Sequence, residues 1–425
     1  MLSATSQRGR WTAPFTGPTG RRVSTACSAL GALVIASAGL APSAVADDVQ
    51  SQQWYLDAMA ADDLWKVSTG EGVKIAVIDS GVNPSTPSLK GQVLVDEVPK
   101  SVAYHATKDY AGHGTSMAEL IAGTGAGGGL KGLAPGAKIV PYRVALKQLT
   151  DEAERKKTSV AAEAIRAAAD SDAKIINMSF GGNIIYPEEK AAVKYAASKG
   201  KLMFASVGND AQTKDFIGYP AAYPYVVGVS AADKSGNVGK FSETGAYVDL
   251  AAPGLDAPTW CDATFRSYCE NEGTSIATAI TSASAALIWS AHPDWTANQV
   301  LRVMLDTAGR EWPKDTPSKY LGYGLIRPGQ SLLDGKGNPG AADVDPITNR
   351  KVPGASGAAD ASPSASVPAS SQPSKNTSGG QTSAAGSSSN SSDDNAQLWV
   401  VLGAVSAVVV IGGGGLAVLR SRRSG

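Results

Sequence analysis

Three side chains that together could break an acyl bond stand far apart in this sequence. Asp79 lies in "AVIDSG", His113 sits between glycines in "GHGTSMA", and Ser275 heads the apolar run "GTSIATAITSASAALIWS". A serine hydroxyl is a weak nucleophile near neutral pH unless a base adjoins it, and an imidazole base needs a third group to hold its tautomer. After residue 46 there are only three histidines, His105, His113 and His292, so histidine-dependent chemistry has few candidates. Singly, each residue has a plainer reading. Ser275 precedes a helical run and would make a good N-cap. A lone histidine is more often packed or surface-exposed than catalytic, and Asn209, after "ASVG", reads as a turn residue.

These residues need elements to position them. "VKIAVI" (73–78) is a β-branched apolar run ending at a turn, which reads as a buried strand. "HGTSMAELIAGTG" has the spacing of a buried helix face. Strands are then expected at 137–144, 173–180, 201–208 and 223–231, with helices at 159–171 and 186–200. A further helix follows Thr296, which stands in capping-box spacing to Gln299. Short apolar strands alternating with helices predict an α/β fold with a mostly parallel sheet covered on both faces. Sites in such sheets form at the carboxyl ends of strands, where Asp79 and Asn209 fall.

The ends of the chain have other characters. Residues 1–46 carry Arg8, Arg10, Arg21 and Arg22 without an acid, then "ALGALVIASAGLA" and "SAVA". That pattern predicts a secretory signal cut after Ala46, an uncut anchor being the weaker reading because the apolar run is short. Residues 398–419 are uncharged over about 22 positions, enough to cross a bilayer as a single transmembrane helix. Arg420, Arg422 and Arg423 place the tail, 420–425, in the cytoplasm. Residues 341–397, rich in Ser, Ala, Gly and Pro, read as a disordered tether, leaving 47–340 as the folded body. The expected protein is single-pass in the cell membrane, with its body outside the cytoplasm.

With 38 basic and 38 acidic residues, nothing in the charge balance points to nucleic acid. Cys261 and Cys269, the two cysteines beyond the signal, are expected to form a disulfide in an exported body, with a metal pair the weaker alternative. No cofactor or metal is expected. Calcium stays an open alternative, with "DKSGNVGKF" (233–241) reading better as a turn than as an ion loop.

An Asp, His, Ser order on an α/β sheet resembles the subtilases, the subtilisin-like serine proteases. The likeness runs over roughly 50–335 and includes "YGLIRPGQSL". It implies a three-layer subtilisin-like fold, with Ser275 as nucleophile, His113 as general base and acid, and Asp79 orienting the imidazole. It also implies Asn209 as an oxyanion donor beside the Ser275 N–H, and "NMSFGG" (177–182) as the strand that pairs with an extended peptide substrate through Ser179, Phe180 and Gly181. The overall plan is similar to that of the mycosins, membrane-anchored subtilases of type VII secretion, whose machinery becomes an expected partner. Few residues lie between Ala46 and the start of the likeness, so a long folding chaperone is not expected.

Three positions depart from the family pattern: Ala279 where proline is usual, Ser282 where a small Ala or Gly is usual, and Glu119 where Gly or Ser is usual. Two rival readings remain: an inactive subtilase-fold scaffold, and an esterase, which would need a G-x-S-x-G elbow that the chain lacks.

Overall fold

Six short strands, each with buried side chains on both faces, set the architecture. In the computed structural model, which describes residues 49–352, these are β1 (Lys74–Asp79), β2 (Lys138–Arg143), β3 (Ile175–Met178), β4 (Leu202–Ser206), β5 (Val226–Ala232) and β6 (Leu250–Pro253). They form one sheet in the order β2-β1-β3-β4-β5-β6, and every pairing is parallel. Strands covered on both faces need continuous apolar runs, and "KIAVID" is buried from Ile75 to Asp79.

The period-2 alternation of β1 sorts its residues into two cores. Ile75 and Val77 join one hydrophobic cluster, Ala76 and Ile78 the other. The first cluster is covered by α3 (His113–Ala122), α7 (Thr274–Ala291) and α8 (Ala297–Thr307); the second by α5 (Ala161–Ala169) and α6 (Pro187–Ser198). Three layers result, with α7 packed on α3 and running against β3, β4, β5 and β6. Small residues make this possible: α7 is Ala, Ser and Thr over much of its length and is buried from Ile276 to Trp289. Among the described residues α7 alone is long and apolar enough to cross a bilayer, yet 83% of its apolar window is buried, so it is a core helix. The span expected at 398–419 and the signal at 1–46 lie outside the described residues.

The helix after Thr296 carries the capping box: Gln299 Oε1 accepts from Thr296 N–H at 3.0 Å, and Thr296 Oγ from Gln299 N–H at 3.4 Å. Other elements were not foreseen. These include α1 (Trp54–Ala58), α2 (Ala61–Val67), α4 (Glu152–Lys157) and α9 (Pro328–Leu332). β6 is four residues long and ends in proline, which argues against a strand in sequence. A separate antiparallel hairpin, β7 (Ala257–Trp260) with β8 (Tyr268–Asn271), gave no sequence signal, because β7 carries Pro258 and neither strand alternates apolar with polar residues. The packed body also runs past the expected boundary at 340. Thr296 Oγ donates to the Ala342 carbonyl, Arg302 donates to that of Val344, and Val352 is buried. The charged and hydroxyl groups of α8 recruit this segment, which composition alone assigned to a tether.

Several carboxyls are buried without a cation. Burial pushes Asp249 up to about 8 and Glu119 and Glu189 up to about 7. Each therefore stabilises the fold in its protonated form: the contribution is complete below the ordinary carboxylate range and lost as pH rises through 7 to 8. Glu154, held down to about 2 by hydrogen bonds from Tyr104 and Arg143, has the opposite sign and matters only in strong acid. The thermal midpoint is expected to be higher at pH 5.5 than at 8.5, by calorimetry; a rise with pH over that interval would contradict it.

Candidate active site

β1 delivers Asp79 at its carboxyl end, fully buried, and α3 begins at His113 beside it. Asp79 Oδ1 accepts from His113 Nδ1 at 2.8 Å and from the Ser80 N–H at 2.7 Å. With Nδ1 donating, Nε2 carries the lone pair, and His113 lines the cleft. Burial works against a charged ring, but the Asp79 carboxylate outweighs it and Asp109 adds to it, so His113 is held above its ordinary value.

The close approach of β1 and α3 depends on a glycine. A Cβ on Gly114 would lie 2.2 Å from the Gly81 carbonyl oxygen and 3.0 Å from Asp79 Cβ. Asp109, which the sequence reading missed, locks the start of this helix. Its carboxylate accepts from the N–H groups of Ala111, Gly112 and Thr115 and from the Ser80 and Thr115 hydroxyls. Its signal was an aspartate just upstream of a helix start, where a carboxylate satisfies orphan N–H groups.

Ser275 is the second residue of α7, so helix geometry leaves its own N–H without an intrahelical acceptor. Its Oγ donates to the Ser179 carbonyl at 2.9 Å and not to His113. Ser179 Oγ in turn donates to the Ser275 carbonyl and accepts from Asn177 Nδ2, and Asn177 Oδ1 accepts from Ser282 Oγ, each at 3.0 Å. Ser282 thus departs from the family pattern with a partner: it fixes the buried Asn177 amide, which braces Ser179. Ala279 is fully buried within α7, which continues through it unbroken.

Asn209 follows β4 and reaches the same helix end. Its Oδ1 accepts from Thr274 N–H at 3.0 Å and Thr274 Oγ at 2.8 Å. A backbone N–H can only face an acceptor, so the amide orientation is fixed and Nδ2 remains free to donate.

Asp79, His113, Ser275 and Asn209 line one cleft of about 650 Å³, together with Ser179, Phe180 and Gly181. The β7–β8 hairpin supplies another wall through Thr259, Trp260 and Asn271, and the Cys261–Cys269 disulfide closes its loop, with Cα atoms 5.0 Å apart. Glu119 ties this hairpin to α3, accepting from Tyr268 OH at 2.8 Å and Thr86 Oγ at 2.7 Å. It is spent on packing: the groups that shift His113 are Asp79 and Asp109. Asp233, in the segment weighed as a calcium loop, accepts from the N–H groups of Ser235 and Asn237, as in a turn. Among the described residues no group of three or more His, Cys, Asp or Glu could hold a metal ion.

A buried carboxylate bonded to an imidazole, a hydroxyl at a helix N-terminus and a fixed amide donor, all on one cleft, are the parts from which acyl transfer is built. Residues 70–324 match the Subtilase family. The chain belongs to this family. It is 32% identical to thermitase from Thermoactinomyces vulgaris over 281 residues, which is 64% of this chain and 95% of thermitase. It is 34% identical to subtilisin E of Bacillus subtilis over 264 residues, or 61% of this chain, and spans 65% of that relative's length. Among solved structures, the subtilase fold is shared with MycP1 from Mycobacterium smegmatis, at 26% identity and a TM-score of 0.54, covering 66% of this chain and 84% of the other. It is shared likewise with the MycP3 protease from the type VII (ESX-3) secretion system, at 28% and 0.53, covering 65% and 87%.

Proposed function

We propose that this subtilase is a serine endopeptidase that cuts peptide bonds through an acyl-enzyme. The observation that carries the reading is the 2.8 Å bond from His113 Nδ1 to the buried Asp79, in a cleft that also holds Ser275 and Asn209. Ser275 Oγ attacks the peptide carbonyl carbon while His113 Nε2 takes its proton. The new oxyanion accepts from Asn209 Nδ2 and the Ser275 N–H. The C–N bond then breaks as His113 returns the proton to the leaving amine, and water repeats the sequence on the ester. Phe180 and Gly181 offer backbone groups to an extended peptide, and Ser179 offers its carbonyl once the Ser275 hydroxyl swings toward His113.

The exported, anchored arrangement belongs to the same proposal: signal 1–46, peptidase body from 47, tether to 397, span 398–419 and cytoplasmic tail 420–425. The likeness to MycP1 and MycP3 supports a role beside type VII secretion machinery. A second reading, a peptide-binding scaffold without turnover, is favoured by one observation: Ser275 Oγ rests on the Ser179 carbonyl.

A fluorophosphonate probe on the detergent-solubilised full chain separates the two. Stoichiometric labelling that Ser275→Ala removes supports the enzyme; no labelling of the wild type sinks it. Asn209→Ala is expected to cost about 10²–10³ in kcat with KM little changed, the loss known for subtilisin itself, because its donor serves the transition state. Equal changes in kcat and KM would argue against the oxyanion role.

A further inference from the structure

Glu243 lies on the cleft with no assigned task. It follows β5 on the way to β6, is only 3% exposed, and lines the cavity that holds Ser275 and Asn209. Two glycines make room for its carboxylate. A Cβ on Gly208 would fall 2.2 Å from Glu243 Oε2, and one on Gly218 3.3 Å from it. Gly208 directly precedes Asn209, and both line the cleft with Glu243.

The groups around it leave its charge uncompensated. The Phe216 N–H and the Tyr247 hydroxyl face it, while Asp210 and Asp215 add negative potential. Lys214, in the same loop, is turned onto the Phe216 ring, 4.8 Å from its centroid. Among the described residues, no Lys or Arg forms an ion pair with Glu243. The cleft as a whole has the same sign. Asp210, Glu243 and Glu272 line it against a single Lys or Arg, Lys147.

Substrate geometry follows from the oxyanion site. If Asn209 Nδ2 holds the attacked carbonyl oxygen, the side chain of that same substrate residue leaves two bonds away. Gly208 and Glu243 line the same cleft as Asn209 and Ser275, so they form part of the wall that this side chain meets. A Lys or Arg stem of three or four methylenes packs on the glycine backbone and carries its charge to the carboxylate.

Resting on the protease reading, we infer that the cleft selects substrates with Lys or Arg at the residue whose carbonyl is attacked, with Glu243 as the pairing carboxylate and exposed Asp210 adding to the field. Burial and the two aspartates push Glu243 up to about 7, so the selectivity strengthens as pH rises through neutrality and the carboxylate ionises.

The test uses the detergent-solubilised full chain, its active fraction titrated with a fluorophosphonate, and three peptides that differ only in Lys, Gln or Leu before the scissile bond. Wild type is expected to favour Lys over Gln in kcat/KM by roughly 30-fold or more, the effect of pairing one buried charge, with the ratio rising from pH 6 to pH 8. Glu243→Gln collapses the Lys:Gln ratio toward one, and Glu243→Asp restores part of it. A wild-type ratio near one, or a ratio untouched by Glu243→Gln, overturns the inference while leaving the protease reading intact. Cleavage of none of the peptides together with no labelling overturns both.

Discussion

Ser275→Ala is expected to lower kcat by about 10⁶-fold, His113→Ala by as much, with the double variant no slower than either, the non-additivity known for subtilisin itself. In the proposed mechanism the two side chains act as one unit. His113 Nε2 has no other proton to take, and a Ser275 hydroxyl without a base stays protonated near neutral pH. Residual turnover above the uncatalysed rate comes from the Asn209 amide and the Ser275 N–H, which the variants leave in place. Pre-steady-state kinetics on a peptide ester would show an acyl burst in the wild type and none in Ser275→Ala. Additive losses in the double variant would mean that the two residues serve different steps, and the proposed mechanism would fail.

Asp79→Ala is expected to cost about 10⁴-fold in kcat, close to the subtilisin value, and to move the acid limb of the pH profile. Asp79 holds the His113 ring by a 2.8 Å bond and raises its proton affinity through its charge. In the wild type, kcat/KM should fall on acidification at a pH above the ordinary imidazole value, since only neutral His113 can accept the serine proton. Without Asp79 that limb should move to lower pH, because burial is then opposed by Asp109 alone. Asp79→Asn separates the two effects. Oδ1 takes both the Ser80 and His113 bonds while Oδ2 is buried without a partner, so an amide oxygen can keep the ring in place but not its charge. The limb should move as in Asp79→Ala. An unmoved limb in both variants would show that Asp79 does not set the titration of His113.

Local chemistry made much of this legible in sequence. The β1 run, the α3 and α7 helices and the capping box at Thr296 announce themselves through periodicity and end signals within a single segment. The Cys261–Cys269 pair was readable because it sits in an expected exported body with no competing ligand nearby. The hairpin that joins them was not, because its strands are four residues each with no apolar alternation, and they are tied by the disulfide and by Tyr268 reaching Glu119. Asp109 was missed for a related reason: its four residues of separation from His113 say nothing until the helix start folds back over its carboxylate.

By itself, the sequence determined which residues belong together, through the order of Asp79, His113 and Ser275 on an alternating α/β pattern, and it marked Ser282 and Glu119 as departures. Tertiary structure alone decided what those departures do. Ser282 meets Asn177 across more than a hundred residues and Glu119 clasps the hairpin; packing likewise brought Glu243, which the sequence did not mark, to the cleft beside Gly208 and Gly218. Periodicity reports the face on which a residue lies. The partner opposite that face is set by how distant elements pack, and so appears only when the chain is closed.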